Sequence, residues 1–95
     1  MPTHAEDARF LREWRRLTQD QQAQFKVALA KFIHDLETGS FRPGLRVKDY
    51  RRAEGVFEMT WADDGRALFR YDDEVRAGEP HIEWLRIGTY DILDR

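Results

Sequence analysis

The second half of this 95-residue chain sets cationic side chains at alternating positions. Arg46 and Lys48 alternate with Leu45 and Val47. Arg66 and Arg70, with Leu68 between them, alternate with Ala67, Phe69 and Tyr71. Glu58 and Thr60 alternate with Phe57, Met59 and Trp61. Successive side chains of a strand point to opposite faces of a sheet, so this spacing gathers Arg46, Lys48, Glu58, Thr60, Arg66 and Arg70 on one face. Guanidinium groups are permanently charged and grip phosphate through paired N–H donors, so such a face suits an extended anion. Antiparallel sheets also commonly leave one face to solvent, and alternation alone favours that plainer reading. Arg51 and Arg52 prolong the basic run, and a solvated loop explains them as well as a phosphate site does.

The net charge of −2 hides an uneven distribution. Arg42, Arg46, Lys48, Arg51 and Arg52 outweigh Asp49 and Glu54, whereas the chain beyond residue 55 is strongly acidic. Local potential, not total charge, recruits a polyanion. Arginine dominates lysine, a skew that codon usage explains at least as well as phosphate binding does. The chain has no cysteine, which removes disulfides and Cys-ligated metal centres. His4, His34 and His81 are scattered and lack metal-ligand spacing, and His81 reads as a strand-edge surface residue. No cofactor is expected. No apolar run approaches the ~20 residues that span a bilayer, and MPTHAEDARF lacks the apolar stretch of a signal peptide. One domain over residues 1–95, in the cytoplasm and away from membranes, is the expectation.

The elements that must position these residues are a helical half and a sheet half. Phe10, Trp14 and Leu17 form one stripe on a short helix over Asp7–Leu17. Thr18 with Gln21 fits a capping box that opens a second helix. Phe25, Ala28, Leu29, Phe32, Ile33 and Leu36 then recur at helical spacing until Gly39 ends the run. Strands are predicted over Leu45–Tyr50, Val56–Ala62, Arg66–Tyr71 and His81–Ile87, with Thr89–Leu93 extending the last. Asp63-Asp64-Gly65 is a hairpin turn. The fold class is α+β: an N-terminal helical hairpin on one face of a small, curved, mostly antiparallel four-stranded sheet. Trp61 and Trp84 alternate in phase with apolar neighbours and read as core.

Taken in order, FLREWRRL, FIHDLETG, FRPGLRVK, VFEMTWADDGRALFRYDD and HIEWLRIGTYDIL resemble the RelE/ParE superfamily of type II toxin–antitoxin toxins, over about residues 8–93. The resemblance implies two helices on a curved sheet and a cognate antitoxin that covers the active surface. For the RelE-like branch it implies a metal-independent mRNA endoribonuclease, acting on free or ribosome-bound message. The alternatives are a ParE-like inhibitor of DNA gyrase, or a degenerate homologue that only binds antitoxin. Two departures stand out. Relatives begin with a strand, whereas MPTHAED is polar and too short to read as one. Nuclease-type relatives often end Gly-Thr-His, whereas this chain has Gly88-Thr89-Tyr90, and a phenol is a weaker general base at neutral pH.

Metal-free RNA cleavage uses the substrate's 2′-hydroxyl as nucleophile. The protein must accept its proton, stabilise the charge that builds on the phosphorus oxygens, and protonate the leaving 5′-oxygen. Arg66 stands where the resemblance places a catalytic arginine. Arg86, in the R-I-G-T segment, is expected to face the same groove. Tyr90 is expected to orient phosphate, stack on a base or transfer a proton. Glu58 is a possible base, although a carboxylate also repels phosphate. Arg46, Lys48, Arg51, Arg52 and Arg70 are the expected RNA-binding cations. The antitoxin is expected to bring acidic or apolar groups to this face.

Overall fold

The structure, a computed structural model, describes residues 1–93. Asp7 caps helix α1 (Ala8–Arg16) by accepting from the Arg9 N–H at 2.8 Å. Phe10, Trp14 and Leu17 turn its apolar stripe inward. Helix α2 (Gln19–Thr38) opens with the expected reciprocal box: the Thr18 hydroxyl accepts from the Gln21 N–H, and the Gln21 side chain accepts from the Thr18 N–H. Gly39 closes it in the left-handed region at φ 87°. Such a conformation is natural for glycine at a helix end.

The sheet has five strands, not four. β1 (Thr3–Glu6), β2 (Lys48–Asp49), β3 (Val56–Thr60), β4 (Gly65–Asp72) and β5 (His81–Thr89) lie in the order β1-β5-β4-β3-β2. β1 runs parallel to β5 and every other pairing is antiparallel. The segment judged too polar for a strand is therefore an edge strand. An edge strand is held by backbone bonds on one side and needs no apolar alternation. The Thr3 hydroxyl also pairs with His81 Nδ1 at 2.6 Å.

Two further segments depart from expectation. Leu45–Tyr50 contributes only the two residues of β2, because Pro43–Leu45 winds into a 3-10 turn and Arg46 takes a left-handed φ of 48°. Tyr90–Leu93 does not extend β5. It forms a 3-10 turn that folds back over the sheet face remote from the helices. Ile92 is buried there, and its Cγ2 lies 2.7 Å from where a Cβ on Gly88 would sit, so only glycine permits this approach. The Tyr50 hydroxyl donates to the Leu93 carbonyl at 2.6 Å and fastens the far end of the turn to the β2–β3 connection. Leu68, expected to face water, is buried.

On the other face the core forms as the alternation requires. Met59, Trp61, Ala67, Phe69, Ile82, Trp84 and Ile87 pack beneath Phe25, Phe32 and Leu36, while Phe57 and Leu29 are partly buried at the margin. Phe69 meets Phe32 edge-on at 4.9 Å between ring centroids, and Trp84 lies 5.6 Å from Phe25. Tyr71, expected inward, is about half exposed and touches Phe57 and Phe69 edge-on.

The exit from α2 is fixed by a buried carboxylate. Asp35 accepts from the Arg42 backbone N–H at 2.8 Å and from its Nε and Nη2 at 2.8 and 2.9 Å. These bonds hold the Asp35 carboxyl down at about 2. A group whose folded value is depressed stabilises the fold above its unfolded value and loses that contribution as pH falls through the folded one. Stability is thus expected to decline from the ordinary aspartate value of 3.8 towards 2. In urea titrations across that range, Asp35→Asn should flatten this part of the decline. An unchanged slope in the variant would show that other carboxylates carry it.

Candidate functional site

The face opposite the helices is ordered by strand register. Lys48 on β2 lies opposite Glu58 on β3, Glu58 opposite Leu68 on β4, and Leu68 opposite Arg86 on β5. One row along, Thr60, Arg66 and Gly88 align. One row the other way, Val56, Arg70 and Glu83 align. The folded-back turn Tyr90–Leu93 crosses this face and leaves a cleft on each side. The first, of about 530 Å³, is lined by Lys48, Asp49, Tyr50, Arg51, Arg52, Glu58 and Leu93. The second, of about 500 Å³, lies among Arg9, Val56, Leu68, Leu85, Arg86 and Asp91.

The candidate cations divide according to what they already hold. Arg86 is committed to α1: its Nε and Nη2 donate to the Glu13 carboxylate at 2.7–3.1 Å, and Glu13 also accepts from the Ile87 N–H. Arg70 is paired with Glu83 at 2.6 Å. That pairing pushes the guanidinium further above its ordinary value. Arg46 sits exposed on its left-handed turn, outside the residues that line either cleft. Lys48, Arg51 and Arg52 share the first cleft, and among the described residues neither Arg51 nor Arg52 makes an ion pair.

Arg66 is anchored without being used up. Its Nη1 donates to the carbonyls of Ala62, Asp63 and Gly65 at 3.3, 3.2 and 2.9 Å, which curls the side chain over the hairpin. The Trp61 indole donates to the Arg66 carbonyl at 2.9 Å and lies where a Cβ on Gly65 would stand. A guanidinium has five N–H donors, so among the described residues Nε and Nη2 keep theirs for another acceptor. Thr89 lies opposite Gly65, so Tyr90, half exposed, begins beside the same end of the hairpin.

Glu58 is the unusual member of the face. It is 8 % exposed, its Oε1 lies 3.5 Å from Lys48 Nζ, and its buried Oε2 has no hydrogen-bond partner among the described residues. Sequence reasoning did not single out Tyr50 or Glu13. Their partners, Leu93 and Arg86, lie 43 and 73 residues away, and no local pattern announces such contacts. Among the described residues no group of His, Asp or Glu is arranged to hold a metal ion, and no helix is long and apolar enough to cross a membrane.

No protein-family model matches the sequence, and no curated protein matches it. Solved structures do match in shape. The toxin–antitoxin complex DinJ–YafQ of E. coli aligns at a TM-score of 0.73 and 10% identity, covering 99% of this chain and 98% of that one. A copper-bound mutant toxin of Helicobacter pylori aligns at 0.70 and 15% identity over 98% and 99% of the two chains. The E. coli RelBE toxin–antitoxin complex aligns at 0.62 and 19% identity over 94% and 96%. A helical hairpin on a five-stranded sheet, matched end to end in this way, gives the chain the RelE-like fold of type II toxins.

Proposed function

We propose that this chain is the toxin of a type II toxin–antitoxin pair and that it cleaves mRNA by attack of the substrate's own 2′-hydroxyl, without a metal. The observation that carries the reading is the end-to-end match with toxins crystallised beside their antitoxins. The chemistry of the exposed face supports it. Arg66, its side chain fixed on the hairpin through Nη1 and its Nε and Nη2 without a partner among the described residues, stabilises the charge of the pentacoordinate transition state. Lys48, Arg51 and Arg52 hold flanking phosphates. Tyr90, at the same end of the sheet as Arg66, orients the scissile phosphate or stacks on a base. Arg86 and Arg70, each held by a carboxylate, act by shaping the face, and Arg46 meets the strand further along its path. The cognate antitoxin covers the same cations with acidic groups.

Induced expression should arrest growth, and primer extension should reveal new ends within coding regions of cellular mRNA. Purified toxin with ribosomes and message should give the same ends in EDTA as in its absence. Co-expression of the antitoxin encoded beside the toxin should restore growth. Intact mRNA accompanied by gyrase-dependent DNA breaks would overturn the nuclease reading in favour of the ParE-like one.

A further inference from the structure

We propose that two copies of this chain pair edge to edge through β1, forming a weak dimer with one continuous sheet. The pairing holds whether or not the chain cleaves RNA. It starts from an open strand whose outward residues carry opposite charges. β1 is the outer strand of the sheet and has β5 on one side only. The Thr3 N–H donates to the Pro80 carbonyl and the Asp7 N–H to the Trp84 carbonyl, both at 2.9 Å. Main-chain groups alternate in direction along a strand, so Thr3, Ala5 and Asp7 address β5. The N–H and C=O groups of His4 and Glu6 therefore point outward. An unpaired edge of this kind is a template for another strand. The opposite edge of the sheet, β2, has two residues and offers far less.

Charges of one sign protect an edge, because they repel a second copy in every register. β1 instead has one residue of each sign, two positions apart. In an antiparallel alignment centred on Ala5, His4 of each copy lies opposite Glu6 of the other. Both are outward residues, so each such pair exchanges two N–H···O bonds, and the register closes four across a two-fold axis. An imidazole then meets a carboxylate at both ends. Within one copy these side chains already pair with each other, and the dimer gives each a second partner directly across. Ala5, small and exposed, sits on the axis, where opposed side chains come closest. A slip of two residues either way sets His4 against His4 or Glu6 against Glu6. Pro2, next on the outward side, has no N–H to donate, which ends the pairing there. The axis stands perpendicular to the sheet, so both helical hairpins share one side. A groove of about 230 Å³ beside β1, whose lining includes Phe10, Leu11, Trp14 and Leu29, then faces its counterpart across the axis. Neither cleft of the far face is lined by β1, so both stay open.

Sedimentation velocity of the purified full chain over a concentration series tests the pairing. A strand contact this short makes a small, transient interface, with a dissociation constant expected at roughly 10 μM to 1 mM. His4→Glu opposes two carboxylates at each end and should raise that constant at least about tenfold, and Glu6→Lys should do the same by opposing two cations. Mixing the two variants should restore the dimer, because each copy then brings the charge that the other lacks. Thermal melts report that both variants are folded. Recovery on mixing is peculiar to this register and supports it. A wild-type chain that stays monomeric throughout that range, a dimer that neither variant weakens, or variants that fail to recover together would each overturn the pairing. A monomer whose His4→Glu variant no longer binds antitoxin would give this edge to the antitoxin instead.

Discussion

Arg66→Ala is expected to slow RNA cleavage about 10²–10³-fold, the usual loss when one preorganised charge-stabilising donor is removed. The expectation follows from how the side chain is held. Its Nη1 is tied to three carbonyls of the hairpin, so the guanidinium needs little reorganisation to meet a phosphate with its remaining nitrogens. Those carbonyls lie at an open turn and can take water in its place, so the variant should stay folded. Arg66→Lys separates charge from geometry. Lysine keeps the positive charge but has neither the planar fork nor the reach to hold the turn and a phosphate together, and should recover only part of the loss. Single-turnover cleavage rates, beside thermal melts of each variant, check both statements. An Arg66→Ala toxin that cleaves at the wild-type rate would assign the residue to the hairpin alone.

Phe69→Ala is expected to cost about 3–5 kcal/mol of stability. Phe69 has no solvent exposure and stands where both layers meet, with Phe32, Phe57 and Trp84 at 4.9, 5.7 and 5.6 Å between ring centroids. Removing the ring leaves a cavity that these rigid neighbours cannot collapse to fill. A chain of this length has on the order of 5–14 kcal/mol in all, so the variant should lose about a fifth of it or more. Urea denaturation measures the difference. A loss below about 1 kcal/mol would mean that the layers do not depend on this ring.

The parts of this fold that announce themselves in sequence are those whose residues answer to their near neighbours. The stripe on α2, the Thr18–Gln21 box and the alternation of Phe57, Met59 and Trp61 each follow from a local period and a buried face. β1 has no such signal, because an edge strand of THAE is placed by backbone pairing with residues at the other end of the chain. Leu68 and Ile92 were equally illegible. Both are buried, and Ile92 reaches its place only because Gly88 lets the closing turn approach, which no period records. Arg86 was expected in the groove from its place in the R-I-G-T segment; the register slips at Leu85, so that Phe69 faces Trp84 while Leu68 faces Arg86, and Glu13 holds the Arg86 guanidinium on that face. The candidate site was legible as a set of cations and one carboxylate. Which of them are already engaged depends on Glu13 and Glu83, which only the folded chain brings near.

The parallel pairing of β1 with β5 has a consequence for the order of events during synthesis. Thr3 waits for His81, 78 residues further along, and β5 is also the strand on which β4 and α1 rest. At about 5–20 residues per second, translation separates the two by roughly 4–16 s. Until β5 emerges, the helical hairpin has half a sheet beneath it, and Trp84 is missing from among Phe10, Phe25 and Phe32. Contacts so distant in sequence also slow the folding that follows. The sheet, and with it the face opposite the helices, therefore stays incomplete until almost the whole chain has left the exit tunnel. If the chain is the toxin proposed above, the same interval is the first in which an antitoxin already in solution can meet it, before that face is complete.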